Sequence, residues 1–253
     1  SMRPFGMILV TGPTGSGKST TLYSIISQLN SVDKNIITVE DPVEYLVDGL
    51  TQIEVRADIG LTFAAGLRSI LRQSPDIVMV GEIRDNETAD IAIKASLTGQ
   101  LVLSTLHTND AAGALTRLVD MNVEPFLVAS SLLMVCAQRL CRKICPHCKA
   151  EVEIPAEALE KFGGRVDAQT RFYAGKGCER CRQTGYLGRF GITELLVLDD
   201  ATREMLLQGK SSDDIKEYAR QNRGMRLLWD DALDRLRQGQ TTVEEVLRVA
   251  SSE

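Results

Sequence analysis

Short apolar runs separated by amphipathic stretches predict a parallel α/β sheet in the first half of the chain. Four runs are continuous and have the length of buried strands: Met7–Thr11, Ile36–Val39, Ile77–Val80 and Leu101–Leu103. Buried parallel strands have this continuous apolar pattern, and helices normally connect them. The intervening segments Thr62–Ser74 and Asp85–Leu97 have the character of such helices. We therefore expect an α/β sheet over roughly the first 120 residues.

The pattern changes after this sheet. Arg139–Arg189 holds five of the six cysteines and shows little periodicity, so we expect an irregular module held together by something other than an apolar core. Arg189–Leu198 reads as a strand or hairpin, and short helices are expected to follow. These helices are predicted to start near Asp199, Ser211 and Thr241. The predicted domains are residues 1–138, 139–190 and 191–253.

The chain has 253 residues, of which 43% are hydrophobic and 25% are charged, a composition that is ordinary for a globular protein. The longest apolar run, Phe126–Ala137, is shorter than the ~20 residues that a membrane-spanning helix needs. The net charge of -5 argues against a general nucleic-acid binder, which requires a clustered basic surface.

Ser1 before Met2 resembles the remnant of a removed tag, and we expect native sequence to continue upstream.

A glycine-rich stretch follows the first predicted strand and precedes a helix. Gly12–Ser19 reads Gly-Pro-Thr-Gly-Ser-Gly-Lys-Ser and matches the phosphate-binding P-loop pattern in its required context. In such a loop backbone N–H groups surround the phosphates, Lys18 reaches the β- and γ-oxygens, and Ser19 can ligate Mg²⁺. A glycine-rich turn that binds nothing is the weaker interpretation, because the lysine, the hydroxyl and the flanking elements agree.

Acidic residues follow two other predicted strands. Glu82 ends the run Ile77–Glu82 as in a Walker B site and is expected to hold Mg²⁺, directly or through water. The run Glu40–Glu44 contains three carboxylates, one of which we expect to polarise the attacking water. His107 lies in a polar cluster after the fourth strand and is a candidate contact for the γ-phosphate. All of these residues should meet at one edge of the sheet.

Two C-x-x-C pairs predict a closed tetrahedral metal site of the zinc type. The predicted ligands are Cys145, Cys148, Cys178 and Cys181. Two redox pairs or four unrelated thiols are the alternatives. The other two cysteines, Cys136 and Cys141, are predicted to be packing residues or free thiols.

In this order and spacing, the motifs resemble those of the type II secretion system protein E family, the traffic ATPases of type II secretion and type IV pilus assembly. The resemblance covers essentially the whole chain. It rests on the P-loop, the stretches Val39–Glu44, Val80–Asp85 and Ser104–Asp110, and the four cysteines. It implies a RecA-like P-loop NTPase core with a Cys₄ zinc-binding insertion and a small C-terminal helical subdomain.

The resemblance also implies roles for individual residues. Glu44 would activate water, Glu82 would be the metal-side acid, and His107 would monitor the γ-phosphate. Arg189, and less strongly Arg68 and Arg72, resemble positions near phosphates or subunit interfaces. The residues implied in nucleotide binding are Gly12, Thr14, Gly15, Ser16, Gly17, Lys18, Ser19 and Thr20.

The implied function is a Mg²⁺-dependent, ATP-hydrolysing hexameric motor that powers type II secretion or type IV pilus assembly. By resemblance, it would lie at the cytoplasmic face of the inner membrane and act through an inner-membrane platform protein. The family also carries an upstream domain that closes over the nucleotide.

Three alternatives are weighed against this function. A pilus-retraction ATPase shares the nucleotide motifs, but its relatives lack the four cysteines. A nucleic-acid translocating motor is disfavoured by the acidic composition and the absence of basic-aromatic interleaving. A structural fragment with a degenerate nucleotide site is disfavoured by intact Lys18, Ser19 and Glu82.

Overall fold

The computed structural model describes residues 5–166 and 170–250, and it confirms a mixed α/β fold built on a parallel sheet. The strands are β1 (Gly6–Thr11), β2 (Ile36–Glu40), β3 (Thr51–Glu54), β4 (Ile77–Val80), β5 (Leu101–Leu106), β6 (Leu132–Ile144), β7 (Lys149–Val152), β8 (Phe172–Gly175) and β9 (Tyr186–Val197). The helices are α1 (Lys18–Leu29), α2 (Phe63–Ile70), α3 (Asn86–Leu97), α4 (Ala112–Asp120), α5 (Pro125–Ser131), α6 (Ala156–Glu160), α7 (Asp200–Leu207), α8 (Ser212–Arg223), α9 (Leu228–Arg237) and α10 (Val243–Ala250).

The main sheet has the strand order β3-β2-β4-β5-β1-β6-β9. The pairs β1–β5, β1–β6, β2–β3, β2–β4 and β4–β5 are parallel. Thr11 at the end of β1 lies opposite Leu106 at the end of β5, and Val80 at the end of β4 lies opposite Ser104. The segments after β1, β2, β4 and β5 therefore leave the sheet at the same edge.

Local sequence signals explain where the helices begin. The predicted cap Asp85 accepts the backbone N–H of Thr88 at 2.8 Å. Asp199 and Ser211 cap α7 and α8 as predicted, whereas the helix expected at Thr241 begins at Val243. In each case a side-chain oxygen satisfies a backbone N–H group that the first helical turn leaves unpaired.

Helix α1 packs through an apolar face on the sheet. Leu22 and Ile26 are buried in a cluster that includes Val10 of β1 and Leu103 of β5. Burying each such side chain contributes roughly 1.5–3 kcal/mol to stability. This packing fixes the start of α1, and with it Lys18 and Ser19, over the edge of the sheet.

The chain divides into two compact units. The first joins residues up to Ala137 with Leu195–Met225, and the second joins Gln138–Glu194 with the residues from Arg226 onward. Helices α7 and α8 thus belong to the first unit, and α9 and α10 to the second. The predicted boundaries of the segments 139–190 and 191–253 do not coincide with these units, and that three-part division stays a prediction.

The second unit buries more apolar surface than its cysteine-rich segment suggests. Phe162 is 1% exposed and packs on Trp229 of α9, with ring centroids 5.5 Å apart. The expectation of a module without an apolar core is therefore wrong for this unit, because α9 and α10, distant in sequence, supply apolar partners. Strands β7 and β8 form a separate antiparallel pair in the same unit.

A buried carboxylate ties α10 to β6 within the second unit. Glu245 is fully buried and accepts hydrogen bonds from Arg142 at 2.7 and 2.9 Å and from Arg248 at 2.8 and 2.9 Å. Burial acts to raise the pKa of Glu245, but the hydrogen bonds from Arg248 and Arg142 outweigh it and lower the pKa to about 2. Glu245 is therefore a charged part of the packing.

Among the residues that the structure describes, no helix combines the length and the apolar character needed to cross a bilayer.

Candidate functional site

The phosphate loop turns between the end of β1 and the start of α1. Gly17 has φ +86°, a left-handed conformation that favours glycine, and it immediately precedes the helix. The Lys18 ammonium folds back over the loop and donates to the carbonyl oxygens of Gly12 at 2.9 Å and Pro13 at 3.1 Å. Burial lowers the pKa of Lys18, while the nearby negative charge of Glu82 opposes that shift. The Lys18 ammonium thus lies where it can exchange its hydrogen bonds to these two carbonyl oxygens for hydrogen bonds to phosphate oxygens.

The other residues predicted to bind nucleotide lie in the same loop and in the first turn of α1. Ser16 is buried, whereas Thr14, Gly15 and Thr20 are exposed. The loop and the first turn of α1 therefore place backbone N–H groups and hydroxyls together, as phosphate binding requires.

Ser19 and Glu44 are in direct contact. The Ser19 hydroxyl donates to Glu44 Oε1 at 3.0 Å, across 25 positions of sequence. A hydroxyl and a carboxylate are hard oxygen ligands of the kind that Mg²⁺ takes beside a nucleotide phosphate. The structure thus places Ser19, a predicted magnesium ligand, directly beside Glu44, the predicted water-activating residue.

Glu82 faces the loop after β5. Its Oε2 lies 3.4 Å from His107 Nε2, and its other oxygen pairs with Arg84. Glu82 is largely buried and His107 is half-exposed. The structure therefore brings together a carboxylate and an imidazole that the sequence placed after different strands.

Polar contacts hold the loop that carries His107. Thr11 and Thr108 bond through their hydroxyls at 2.7 Å, and Thr108 N–H donates to Thr11 Oγ1 at 2.8 Å. Asp110 accepts the N–H of Gly113 at 2.7 Å and forms an ion pair with Lys216 of α8. Lys216 carries no motif, and sequence analysis did not find this role because the contact is non-local.

The three carboxylates at the end of β2 and in the loop that follows it have different surroundings. Glu40 is 4% exposed and accepts hydrogen bonds from Tyr23, from Thr38 at 2.6 Å and from Gln52 at 3.1 Å. Burial and the Glu40 carboxylate raise the pKa of Tyr23 to about 12, so this phenol remains a donor. Glu40 is engaged in the packing, whereas Asp41 and Glu44 are exposed.

The four predicted metal ligands converge in the second unit. The sulfur pairs Cys145–Cys178 and Cys148–Cys181 are 3.8 Å apart, Cys178–Cys181 are 3.7 Å apart, and all four sulfurs lie within 4.8 Å of one another. Four sulfurs at ~2.3 Å around a tetrahedral zinc ion would be about 3.8 Å apart. The spacing therefore fits a four-thiolate metal site.

Backbone groups favour a thiolate in this cluster. The N–H groups of Cys178 and Gly185 donate to Cys181 Sγ at 3.2 and 3.3 Å. Burial acts to raise the pKa of Cys181, but these hydrogen bonds outweigh it and lower the pKa to about 6. A deprotonated sulfur is the form that binds metal.

The three predicted arginines lie in different elements. Arg189 lies on an exposed position of β9 in the second unit, whereas Arg68 pairs with Glu87 in the first. Arg72 lies beyond α2, which ends at Ile70, in the 3₁₀ turn Leu71–Gln73.

Comparison with known proteins gives matches over nearly the whole chain. The chain is 53% identical over 247 residues to the type II secretion system ATPase E of Vibrio cholerae, covering 98% of this chain and 49% of that protein. It is 54% identical over 247 residues to the type IV pilus assembly ATPase PilB of Thermus thermophilus, covering 97% and 28%. The chain thus spans half or less of the length of these curated relatives.

A solved structure supports the fold. The crystal structure of the pilus retraction motor PilT with bound ADP superposes with a TM-score of 0.72 at 31% identity, covering 97% of this chain and 61% of that one. The family model described as type II/IV secretion system protein matches residues 2–248. Since that match includes both the phosphate-loop site and the cysteine cluster, the chain belongs to the type II/IV secretion system protein family.

Proposed function

We propose that this chain is the ATP-hydrolysing part of a motor that powers type II protein secretion or type IV pilus assembly. The observation that carries the proposal is the meeting of four groups at one sheet edge: the phosphate loop, Glu44, Glu82 and His107. Ser19 contacts Glu44 at 3.0 Å, and Glu82 lies 3.4 Å from His107. Relatives named as secretion and pilus assembly ATPases support the same function.

Each residue has a role in this proposal. Lys18 and the loop N–H groups bind the phosphates, Ser19 and Glu82 hold Mg²⁺, and His107 contacts the γ-phosphate. When bound there, magnesium would neutralise charge on the phosphate oxygens. Glu44 orients a water for attack on the γ-phosphorus and accepts its proton as the bond to ADP breaks.

We propose zinc as the metal of the cysteine cluster. Four thiolates leave no open coordination position, so its role is structural. The proposal rests on the sulfur spacing close to 3.8 Å, which suits the tetrahedral geometry of zinc.

Assembly is favoured over retraction. The secretion and assembly relatives are 53% and 54% identical to this chain, against 31% for the retraction motor. The four clustered cysteines favour the same choice. The net charge of -5 disfavours a motor that moves nucleic acid.

The proposed assembly is a homo-hexamer at the cytoplasmic face of the inner membrane, acting through a platform protein. This part of the proposal rests on the family resemblance.

Two substitutions test the hydrolytic site in the full-length protein. Glu44→Gln and Glu82→Gln should each lower the rate of ATP hydrolysis by about 10² to 10⁴-fold while ATP still binds, because each removes a positioned charged group. Raising Mg²⁺ should partly rescue Glu82→Gln only. Glu157→Gln, an exposed change on α6, is the matched control. Unchanged hydrolysis in both site variants would refute the proposed function.

A further inference from the structure

The segment that carries Glu44 lies between two neighbouring strands. We call residues 41–50 the acidic loop; it connects β2 to β3. Glu44 itself contacts Ser19 from this loop at 3.0 Å. A loop of this length needs anchors if it is to hold one carboxylate in a fixed place, because an unanchored loop samples many conformations.

The side chain of Gln52 on β3 pairs with the backbone of the acidic loop. Its Nε2 donates to the carbonyl oxygen of Tyr45 at 2.9 Å, and its Oε1 accepts the N–H of Val47 at 2.8 Å. The amide thus satisfies one carbonyl and one N–H two residues apart, as a neighbouring strand would. The first of these contacts is made one residue from Glu44.

The Gln52 amide is held from its other side by the buried Glu40. Its Nε2 also lies 3.1 Å from Glu40 Oε1 and 3.3 Å from the Tyr23 hydroxyl. These partners fix which end of the amide faces which way, since the reverse orientation would set Gln52 Oε1 against the Glu40 carboxylate. The acidic loop is therefore tied, through one side chain, to the interior of the sheet.

A second side chain of β3 holds the loop on the other side of Glu44. The Glu54 carboxylate accepts the N–H of Val43 at 3.3 Å. Gln52 and Glu54 are two residues apart and project from the same face of the strand. Their bonds to Tyr45 and Val43 bracket Glu44, so its backbone is restrained on both sides.

We propose that Gln52, assisted by Glu54, is a positioning residue that holds Glu44 at the nucleotide site. Neither residue touches the reacting groups; both act through the backbone of the acidic loop. The inference rests on the proposed role of Glu44 in hydrolysis. Misplacing a catalytic group by about 1 Å can cost roughly 100-fold in rate, so a positioning defect should be measurable.

The central test uses Gln52→Met, which keeps the side-chain length but removes the donor and the acceptor. In the full-length protein kcat should fall roughly 10- to 100-fold, with little change in KM or in ADP affinity. Gln221→Met, an exposed glutamine on α8, is the matched control and should hydrolyse ATP normally. Glu54→Ala should also lower kcat. Glu54→Gln should retain the wild-type kcat, because the amide oxygen of glutamine can still accept the N–H of Val43.

A double-mutant cycle separates positioning from general stability. If Gln52 acts through Glu44, adding Gln52→Met to the Glu44→Gln variant should not lower the rate of ATP hydrolysis any further. Additive losses, or a wild-type kcat in Gln52→Met, would overturn the inference. Hydrogen exchange adds a readout that does not depend on hydrolysis: the Val47 amide should exchange faster in Gln52→Met, and unchanged exchange would also overturn it. An unaltered rate in Glu44→Gln alone would instead reject the proposed role of Glu44.

Discussion

Thr11, the last residue of β1, and Thr108, the residue after His107, share two hydrogen bonds, at 2.7 Å between their hydroxyls and at 2.8 Å from the Thr108 N–H. The phosphate loop begins at the residue after Thr11. The position of His107 is therefore set relative to the phosphate loop by a contact between Thr11, just before that loop, and Thr108, within the stretch Ser104–Asp110.

Thr11→Val should destabilise the first unit by about 1–3 kcal/mol, because the part-buried Thr108 N–H loses its acceptor. The measurement is the urea midpoint of the variant with and without ADP. Thr116→Val, whose hydroxyl bonds to Gly113 within α4 at 3.1 Å, is the control. A midpoint equal to that of the control would show that the contact between the two threonines contributes nothing.

Lys18→Ala should weaken ADP and ATP binding by roughly 10- to 100-fold, since a charge-assisted hydrogen bond contributes about 1.5–3 kcal/mol. Isothermal titration measures the affinity directly. Lys94→Ala removes an exposed lysine paired with Asp90 and should bind nucleotide normally. Equal affinities in Lys18→Ala and wild type would remove the loop from the mechanism.

Cys178→Ser should abolish stoichiometric metal binding and destabilise the second unit, while nucleotide binding by the first unit persists. Elemental analysis gives the metal content, expected at one zinc per chain. Fluorescence of Trp229, the single tryptophan, reports on the same unit. Cys136→Ser lies outside the cluster and should retain the metal. Freshly purified protein with no metal and four freely reacting thiols would contradict the zinc site.

Stability of the second unit should fall as the pH drops from about 4.5 to about 2. The pKa of the Glu245 carboxyl is lower in the folded chain than in the unfolded chain. Its contribution to stability is therefore complete above the pKa of the unfolded chain and is lost as the pH falls through the pKa of the folded chain. This lowering of the Glu245 pKa corresponds to about 3 kcal/mol in the free energy of unfolding. Unfolding followed by Trp229 fluorescence across this range is the measurement.

A substitution at the same place gives an independent check. At pH 7, Glu245→Gln should cost about 1.5–3 kcal/mol, because it removes the charged acceptor of the hydrogen bonds from the half-exposed Arg142 and Arg248. The neighbouring exposed Glu244→Gln should cost little. Equal stability of the two variants would mean that the buried carboxylate contributes nothing.

Local signals in the sequence predicted the parts of the fold that depend on local chemistry. The strand at Ile77–Val80 and the cap at Asp85 follow from a continuous apolar run and from a carboxylate before a helix. The convergence of Ser19 with Glu44 was also expected, because parallel strands bring their carboxyl ends to one edge.

Other contacts could not be predicted because their partners are far apart in sequence and carry no motif. Phe162 and Trp229 are 67 residues apart in the sequence. Their rings come into contact only when α9 packs on the segment that contains Phe162. Glu40 and Glu44 look alike in the sequence, and only the surrounding donors show that the first is buried in the packing and the second is exposed. Gln52 has no signature at all, since a glutamine on an edge strand is usually a solvated residue.

The first unit is discontinuous in the chain, because it needs Leu195–Met225 as well as the residues before Gln138. During synthesis a ribosome adds roughly 5–20 residues per second, from the N-terminus onward. Asp110 is therefore translated well before Lys216, and the loop that carries His107 gains this ion pair only after residues 111–215 have been made. A nascent chain halted before residue 216 would lack the cation that pairs with Asp110, so the order of translation postpones this contact to the loop of His107 until helix α8 has been made.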